Sequence, residues 1–245
     1  MNLTKPFNKI KELLDYFSIT NKWVMDFSML KKEIGLYNAK YWRKKLEENQ
    51  ILVNVERNKY LINTNNSPVN ILIKQYMDYK SLKYYLWWLY LFNKYWLTTQ
   101  LPNSYLVFNN KVNKTIKILN NTVVFKKVKN YELNWIIENN EWNNILDQER
   151  LLIEVIERGK IYLDVQELNY YFNNLKINLL KEEKLINYSE QYWNIMLRRV
   201  VSILDYKWEN IKKYTKNKKS KSPISLLKRN RRGRIIKSTN VILDF

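Results

Sequence analysis

Two adjacent stretches, NAKYWRKKLEE at residues 38–48 and ILVNVERNKYLI at residues 51–62, decide the fold of the N-terminal quarter of the chain. In the first stretch Ala39, Trp42 and Leu46 recur at helical spacing, so they predict the buried face of a helix. In the second, two apolar runs flank a short polar turn, which is the pattern of a β-hairpin. We therefore expect a helix that leads directly into a hairpin.

The residues before this helix predict two more helices. Apolar side chains keep helical spacing over residues 6–17, and the chain then breaks into a short strand. Asp26 or Ser28 is a suitable N-cap for a second helix that runs to about Ile34. Gly35 should end that helix, because glycine adopts positive φ without strain. Three helices followed by a hairpin are typical of a winged helix-turn-helix.

We predict an α+β chain in four parts. Residues 1–63 form the winged helix-turn-helix domain. Residues 64–77 are expected to be a linker, because they begin with the loop signal Asn-Asn-Ser-Pro. Residues 78–206 mix strands and helices in a second α+β domain, and residues 207–245 form a basic tail that we expect to be flexible.

The periodicity of the second domain predicts its elements in turn. An aromatic-rich, buried helix is expected over residues 79–93, although a role for its aromatic side chains in base stacking stays open. The strands predicted after it lie at residues 103–108, 115–119 and 122–128, and the helices at residues 146–156, 164–175 and 189–205.

The chain is strongly basic, and its charge is uneven. It holds 43 Lys and Arg against 23 Asp and Glu, which gives a formal net charge of +20. Residues 207–237 carry thirteen of those cations and a single acidic residue, Glu209. The codon bias of an AT-rich genome favours Lys but would spread it evenly. The clustering therefore favours a polyanionic partner whose binding weakens as salt is added, and a solvated tail without a partner stays an alternative.

The third helix and the hairpin are the candidate nucleic-acid-binding surface. A helix fits the major groove of DNA, where its outward polar side chains reach base edges and its cations reach phosphates. Asn38 is also expected to cap this helix. The alternative to nucleic-acid binding is a winged-helix fold used only for protein contacts. The candidate residues are Asn38, Lys40, Tyr41, Arg43, Lys44 and Lys45 in the helix, Arg57, Asn58 and Lys59 in the hairpin, and Lys218, Lys219, Lys221, Lys228, Arg229, Arg231, Arg232 and Arg234 in the tail.

The composition argues against catalysis. The chain contains neither Cys nor His, which excludes thiolate nucleophiles, imidazole metal ligands and His-based triads. Its three glycines are scattered and form no phosphate-binding loop. We therefore predict no catalytic residue, no metal site and no cofactor, and we do not expect an enzyme.

The chain also gives no reason to expect a membrane protein. Its first residues lack the apolar core of a signal peptide. The most apolar stretch, residues 82–97, is interrupted by Lys83, Asn93 and Lys94, and it is too short and too polar to span a bilayer. A cytoplasmic location without membrane contact is the expectation, and the lack of Cys fits it.

Over residues 5–206 the order of features resembles the AbiEi antitoxin family of type IV toxin–antitoxin systems. The family's winged helix is followed by a Gln-Pro segment leading into a strand, a second strand, a helix and a C-terminal helical region. The matching segments here are WLTTQLPNSYLV at residues 96–107, NKTIKI at 113–118, DQERLLIE at 147–154, LINYS at 185–189 and MLRRVVSIL at 196–204. The family's Pro before Glu is replaced by Gln148, and the basic tail is not a feature of the family.

The resemblance implies a DNA-binding antitoxin that represses its own promoter through inverted repeats. In the family the functional partner is a nucleotidyltransferase toxin, which the antitoxin opposes without forming a stable complex. Two alternatives fit the residues as well. One is an RNA-binding structural protein, such as an organellar ribosomal protein, with the tail threaded through RNA. The other is a plasmid or phage replication initiator.

Overall fold

The computed structural model is mixed α+β, as the sequence predicts. It divides into two compact units, one built from residues 1–87 and 102–145 and the other from residues 88–101 and 146–245. The structure describes residues 4–20, 22–87, 91–92, 103–138, 144–175, 179–192, 194–207, 224–226, 234–236 and 241–243.

The first unit begins with the three helices and the hairpin that the sequence predicts. Strand β1 pairs with β3, and β3 pairs with β2, so the small antiparallel sheet has the order β1-β3-β2. The elements are α1 (Thr4–Ile19), β1 (Val24–Asp26), α2 (Phe27–Ile34), α3 (Leu36–Glu48), β2 (Leu52–Glu56) and β3 (Lys59–Ile62).

One apolar cluster holds these elements together. Ile10 and Phe17 of α1 are buried with Leu30 of α2, and Ala39 and Leu46 of α3 pack on them. Each large side chain buried in such a cluster contributes about 1.5–3 kcal/mol to folding. The predicted inward face of the third helix is therefore confirmed.

Gly35 makes the turn between α2 and α3. Its φ of 77° lies in the region that favours glycine, and its N–H donates to the Lys31 carbonyl at 2.9 Å. The same residue precedes the first turn of α3, so the helix begins at Leu36 and not after Asn38. The predicted cap was wrong, since the Asn38 side-chain amide instead donates to the Ile34 carbonyl at 3.0 Å.

The prediction of a linker over residues 64–77 is also wrong, because most of this segment is helical. A turn is present, since Asn63 Oδ1 accepts from the Ser67 N–H at 2.7 Å, but it is short. Helix α4 (Val69–Tyr79) follows at once, and Leu72 and Tyr76 are fully buried in it. The helix packs against β1 and β3 and also against a strand of a second sheet, which is described below. It therefore belongs to the interior of the first unit.

A second sheet completes the first unit. Residues 84–87 form a strand whose four side chains are all buried, where we predicted part of a helix. A strand buried on both faces shows a continuous apolar run without alternation, which periodicity does not separate from a helix. The sheet has the order β4-β5-β7-β6, with β5 parallel to β7. Its strands are β4 (Tyr84–Trp87), β5 (Ser104–Asn109), β6 (Lys114–Ile118) and β7 (Asn121–Lys127).

The domain predicted over residues 78–206 is therefore divided between the two units. The predicted strands of β5, β6 and β7 are confirmed, but they lie with the N-terminal helices and not with the later ones. A 3₁₀ turn at Asn130–Leu133 and a two-stranded ribbon of β8 (Ile136–Glu138) and β9 (Asn144–Leu146) follow them.

The second unit is mainly helical. Asp147 caps its first long helix by accepting from the Arg150 N–H, and Asp164 caps the next through a reciprocal capping box with Glu167. The predicted helix over residues 189–205 is two helices, with a break after Glu190. The helices are α5 (Gln148–Tyr162), α6 (Val165–Asn174), α7 (Glu182–Glu190) and α8 (Asn194–Lys207).

The expectation of a flexible tail over residues 207–245 is corrected in part. Strands β10 (Ile224–Ser225), β11 (Arg234–Ile236) and β12 (Val241–Leu243) form a small sheet of order β10-β12-β11. Leu226 and Val241 are fully buried, and β12 packs against α8. Leu226 and Val241 thus anchor described segments of the tail. Residues 208–223, 227–233 and 237–240 lie outside the described residues.

None of the helices in the described part of the chain is both long and apolar enough to cross a membrane.

Candidate nucleic-acid interface

The outward face of α3 carries two parallel ridges, one aromatic and one cationic. Tyr37 and Tyr41 lie one turn apart, as do Lys40 and Lys44. Tyr37 is 74% exposed and Tyr41 is 40% exposed, and both lysines are exposed. The opposite face of the helix is buried through Ala39. The helix thus presents one continuous stripe to the outside, named here the α3 stripe: Tyr37, Lys40, Tyr41 and Lys44.

Tyr41 is held in place by its neighbours. Its ring meets the Trp42 ring edge to face at 5.7 Å, and Lys45 Nζ lies 5.2 Å from its centroid. The hydrogen bond between Lys45 and Tyr41 raises the pKa of the lysine, so this cation stays charged at neutral pH. Lys45 is exposed beside the α3 stripe and adds to its positive potential.

Three of the predicted contact residues are engaged inside the protein. The Asn38 side-chain nitrogen is bonded to the Ile34 carbonyl. The Arg43 guanidinium lies 5.5 Å from the Phe27 ring centroid, and its Nε lies 3.9 Å from Glu47. Lys59 Nζ is paired with Asp26 at 2.5 Å. These side chains stabilise the fold, and less of each is left for an external partner.

The hairpin turn is tied to the start of α2. Asn58 has a φ of 60°, and its carbonyl accepts from the Phe27 N–H at 2.9 Å. Hydrogen bonds from Lys59 and Ser28 hold the pKa of Asp26 at about 2, against an ordinary value of 3.8. Arg57 and Asn58 remain exposed at the tip. They form a second surface at the N-terminal end of α2, while the α3 stripe lies on the following helix.

Acidic residues limit the positive surface at the far end of α3. Glu48 lies 3.8 Å from Lys44, and Glu47 pairs with Arg43. Both pairs have the i, i+4 spacing of helix surface neighbours. The first turns of α3 therefore carry Lys40 without a facing acid in the helix, whereas the last turn is close to neutral.

A partly buried hub fixes the hairpin to the second sheet. Glu56, at the end of β2, accepts hydrogen bonds from Tyr76 Oη at 2.6 Å, Lys80 Nζ at 2.8 Å and Lys114 Nζ at 3.1 Å. Burial alone would raise the pKa of Glu56, but the bonds from Lys80, Tyr76 and Lys114 outweigh it and lower the pKa to about 2. The hairpin is thereby held by α4 and β6.

Sequence reasoning missed Leu36, Tyr37 and this hub. Leu36 and Tyr37 are 47% and 74% exposed, and the sequence prediction omits them because it starts the helix at Asn38. The sequence suggests a positive φ for Gly35. That turn residue is the signal for a helix that begins directly after it, at Leu36. No local signal identifies the hub, because its donors lie 20, 24 and 58 residues from Glu56.

Most predicted contact residues of the tail lie outside the described residues. Arg234 is described as the first residue of β11, where it pairs with Leu243 of β12. The residues that the structure does not describe are Lys218, Lys219, Lys221, Lys228, Arg229, Arg231 and Arg232.

Comparison with known proteins gives a likeness of fold. No protein-family model matches the chain, and no curated protein matches it. Its structure is similar to the crystal structure of the RV2827C protein from Mycobacterium tuberculosis, with a TM-score of 0.64 and 9% sequence identity. The likeness covers 96% of this chain and 91% of that one. At this identity it shows a shared fold and nothing about activity.

Proposed function

We propose that residues 4–62 form a winged helix-turn-helix that binds duplex DNA through the α3 stripe, and that the protein acts as a cytoplasmic transcriptional repressor. The order of three helices and a hairpin supports the fold, as does the sheet order β1-β3-β2. The observation that carries the proposal is the α3 stripe itself, an exposed cationic and aromatic face on a helix whose other face is buried.

The charge of the chain supports binding to a polyanion. A net charge of +20 attracts nucleic acid over the whole surface, and the exposed lysines of α3 add a local, oriented contribution. In this proposal α3 supplies selectivity, and the basic segments of residues 207–237 supply affinity that falls steeply with salt. DNA binding of this kind needs no catalytic residue, and we assign none.

The resemblance to the AbiEi family leads to a more specific proposal. The protein would be an antitoxin that represses its own promoter at inverted repeats, with a nucleotidyltransferase toxin as functional partner. A toxin gene beside its own gene, and relief of that toxin's effect on co-expression, are the expected observations. Co-purification with ribosomal RNA in place of promoter binding would instead favour an RNA-binding structural protein.

The test uses the full chain and two charge-matched variants. We expect Lys40→Ala with Lys44→Ala to weaken binding to the protein's own upstream DNA by roughly tenfold, since each phosphate contact contributes about 1 kcal/mol or less near physiological salt. Lys111→Ala with Lys127→Ala removes the same charge from exposed sites, one in the loop after β5 and one at the end of β7, and should have a much smaller effect. Fluorescence anisotropy at several salt concentrations measures both.

Equal losses in the two double variants would show that only net charge matters, and the α3 stripe would then not be the binding surface. Binding of the unchanged protein to its own upstream DNA no tighter than to an unrelated duplex would contradict a repressor.

A further inference from the structure

We propose that α3 recognises thymine methyl groups in the major groove, so that the preferred target is an A·T-rich duplex. The aromatic ridge of Tyr37 and Tyr41 would make these contacts. This inference rests on the proposed DNA binding and deepens it by naming the class of site.

The side chains that usually discriminate bases by paired hydrogen bonds are engaged elsewhere. Arg or Lys reads guanine, and Asn or Gln reads adenine, through two simultaneous bonds. In α3 and its C-cap, all of which the structure describes, Asn38 donates to Ile34 and Asn49 donates to the Lys45 carbonyl at 2.8 Å. Arg43 lies on the Phe27 ring beside Glu47. Paired hydrogen-bond readout by Asn or Arg is therefore not what this helix offers.

The aromatic ridge offers apolar surface instead. The thymine C5 methyl is the apolar group among the major-groove features that distinguish base pairs, and apolar side chains read it by contact. Tyr37 has most of its ring exposed, and Tyr41 is preset by Trp42 and Lys45. A tyrosine has only two side-chain torsions, so its ring supplies contact area at a low cost in conformational entropy.

The spacing of the two rings suits two base steps. Residues four apart in a helix are separated by roughly 6 Å along its axis. Two base-pair steps cover roughly 7 Å of duplex. Tyr37 and Tyr41 can therefore lie over different base pairs, while Lys40 and Lys44, on the adjoining row of the α3 stripe, contact phosphates. On phosphates the lysines add affinity without reading the bases.

The test compares three duplexes of about two helical turns, roughly 20 base pairs. The first is alternating A·T, the second replaces thymidine by deoxyuridine and so lacks the C5 methyl, and the third is alternating G·C. We expect the full chain to bind the A·T duplex more tightly than the A·U duplex by about fourfold for each methyl contacted, the value of one buried methylene group. The G·C duplex should bind no better than the A·U duplex.

Three variants assign the preference to the ridge. Tyr37→Ala with Tyr41→Ala should bind the A·T and A·U duplexes equally. Tyr37→Phe with Tyr41→Phe keeps the rings and should keep the preference. Tyr170→Ala removes a tyrosine of similar exposure from the second unit and should change nothing. Because both α3 tyrosines are exposed, their removal should leave the fold intact.

Each outcome has a distinct meaning. Failure of the unchanged protein to bind any duplex, including its own upstream DNA, would contradict the proposed function. Equal binding to A·T and A·U duplexes by a protein that does bind DNA would overturn thymine recognition alone. A preference that survives in the double Ala variant would also overturn it. Tighter binding to single-stranded oligothymidine than to duplex would point to base stacking and overturn it as well.

Discussion

Two lysines, one in α3 and one in β3, show that a cation in the sequence need not be available as a contact residue. Lys44 and Lys59 are both lysines of the predicted surface, but Lys44 has a side chain that is 77% exposed while Lys59 is paired with Asp26 at 2.5 Å. The pairing is decided by a residue 33 positions away. Exposure and partners therefore rank the candidates, and Tyr37, Lys40, Tyr41 and Lys44 come first.

Glu48 is expected to weaken DNA binding. It lies 3.8 Å from Lys44, so it competes with DNA phosphate for that cation, and its negative charge repels the phosphate backbone of the DNA. Glu48→Gln should tighten binding by about twofold to fivefold at low salt and less at high salt, because exposed charges are screened. Fluorescence anisotropy is the measurement. Glu183→Gln, which removes an exposed acid from the second unit, is the control. An equal gain in affinity for that variant would show that the effect comes from net charge.

Glu56 should matter for stability and not for DNA contacts. Glu56→Gln removes a charged acceptor from Lys80 and Lys114, and hydrogen bonds to charged groups contribute about 1.5–3 kcal/mol. Because Glu56 is partly exposed, we expect a loss of about 1–2 kcal/mol in the free energy of unfolding. Urea denaturation at pH 7 measures it. A variant as stable as the unchanged protein would contradict a stabilising role for the hydrogen bonds to Glu56.

The same residue predicts how stability depends on pH. The pKa of Glu56 falls from 4.5 to about 2 on folding, so its contribution is present above pH 4.5 and is lost as the pH falls toward 2. Asp26, whose pKa also falls to about 2, adds to the loss in the same range. The difference in stability between the unchanged protein and Glu56→Gln should therefore shrink between pH 4.5 and 2. A constant difference across that range would contradict this account.

At the scale of elements, the turn between α2 and α3 depends on one backbone conformation. Gly35 has a φ of 77° and a ψ of 160°, which other residues rarely adopt. A Cβ placed there would meet nothing within 4 Å, so the cost of a side chain is conformational and not steric. The turn sets where α3 begins and hence whether Tyr37 lies in the helix.

Gly35→Ala should therefore destabilise the protein by about 1–3 kcal/mol, the cost of holding a residue in such a region. Thermal or urea denaturation measures the change. Lys32→Ala, at an exposed position of the preceding helix, is the control and should have little effect. If Gly35→Ala were as stable as that control, the turn would tolerate other conformations and the start of α3 would not depend on glycine.

For the whole molecule, the basic segments beyond α8 should dominate the salt dependence of binding. Lys218, Lys219 and Lys221 lie in the most cationic part of the sequence. Replacing all three by Ala should lower the log–log slope of affinity against salt by about 2–3, if each contacts one phosphate. The preference of the protein for its own upstream DNA should be unchanged. An unchanged slope would show that these lysines are not at the interface.

Much of the first 62 residues follows from the sequence alone. The inward face of α3, the Asp26 cap of α2, the Gly35 terminus and the hairpin all depend on residues within a few positions of one another. The candidate site was predicted less well, because Asn38, Arg43 and Lys59 proved to be engaged and Tyr37 was missed. Local patterns indicate which side a helix buries, but not which outward side chain finds a partner.

Tertiary structure alone decided the boundaries of the units and the partners of the charges. Residues 84–87 became a strand because a partner strand lies at residues 104–109, and helix α4 became core because two sheets cover it. Glu56 is held by Lys114, which is 58 residues away. The physical reason is the same in each case: burial and ion pairing depend on segments distant in sequence, whereas periodicity and capping are properties of a single segment.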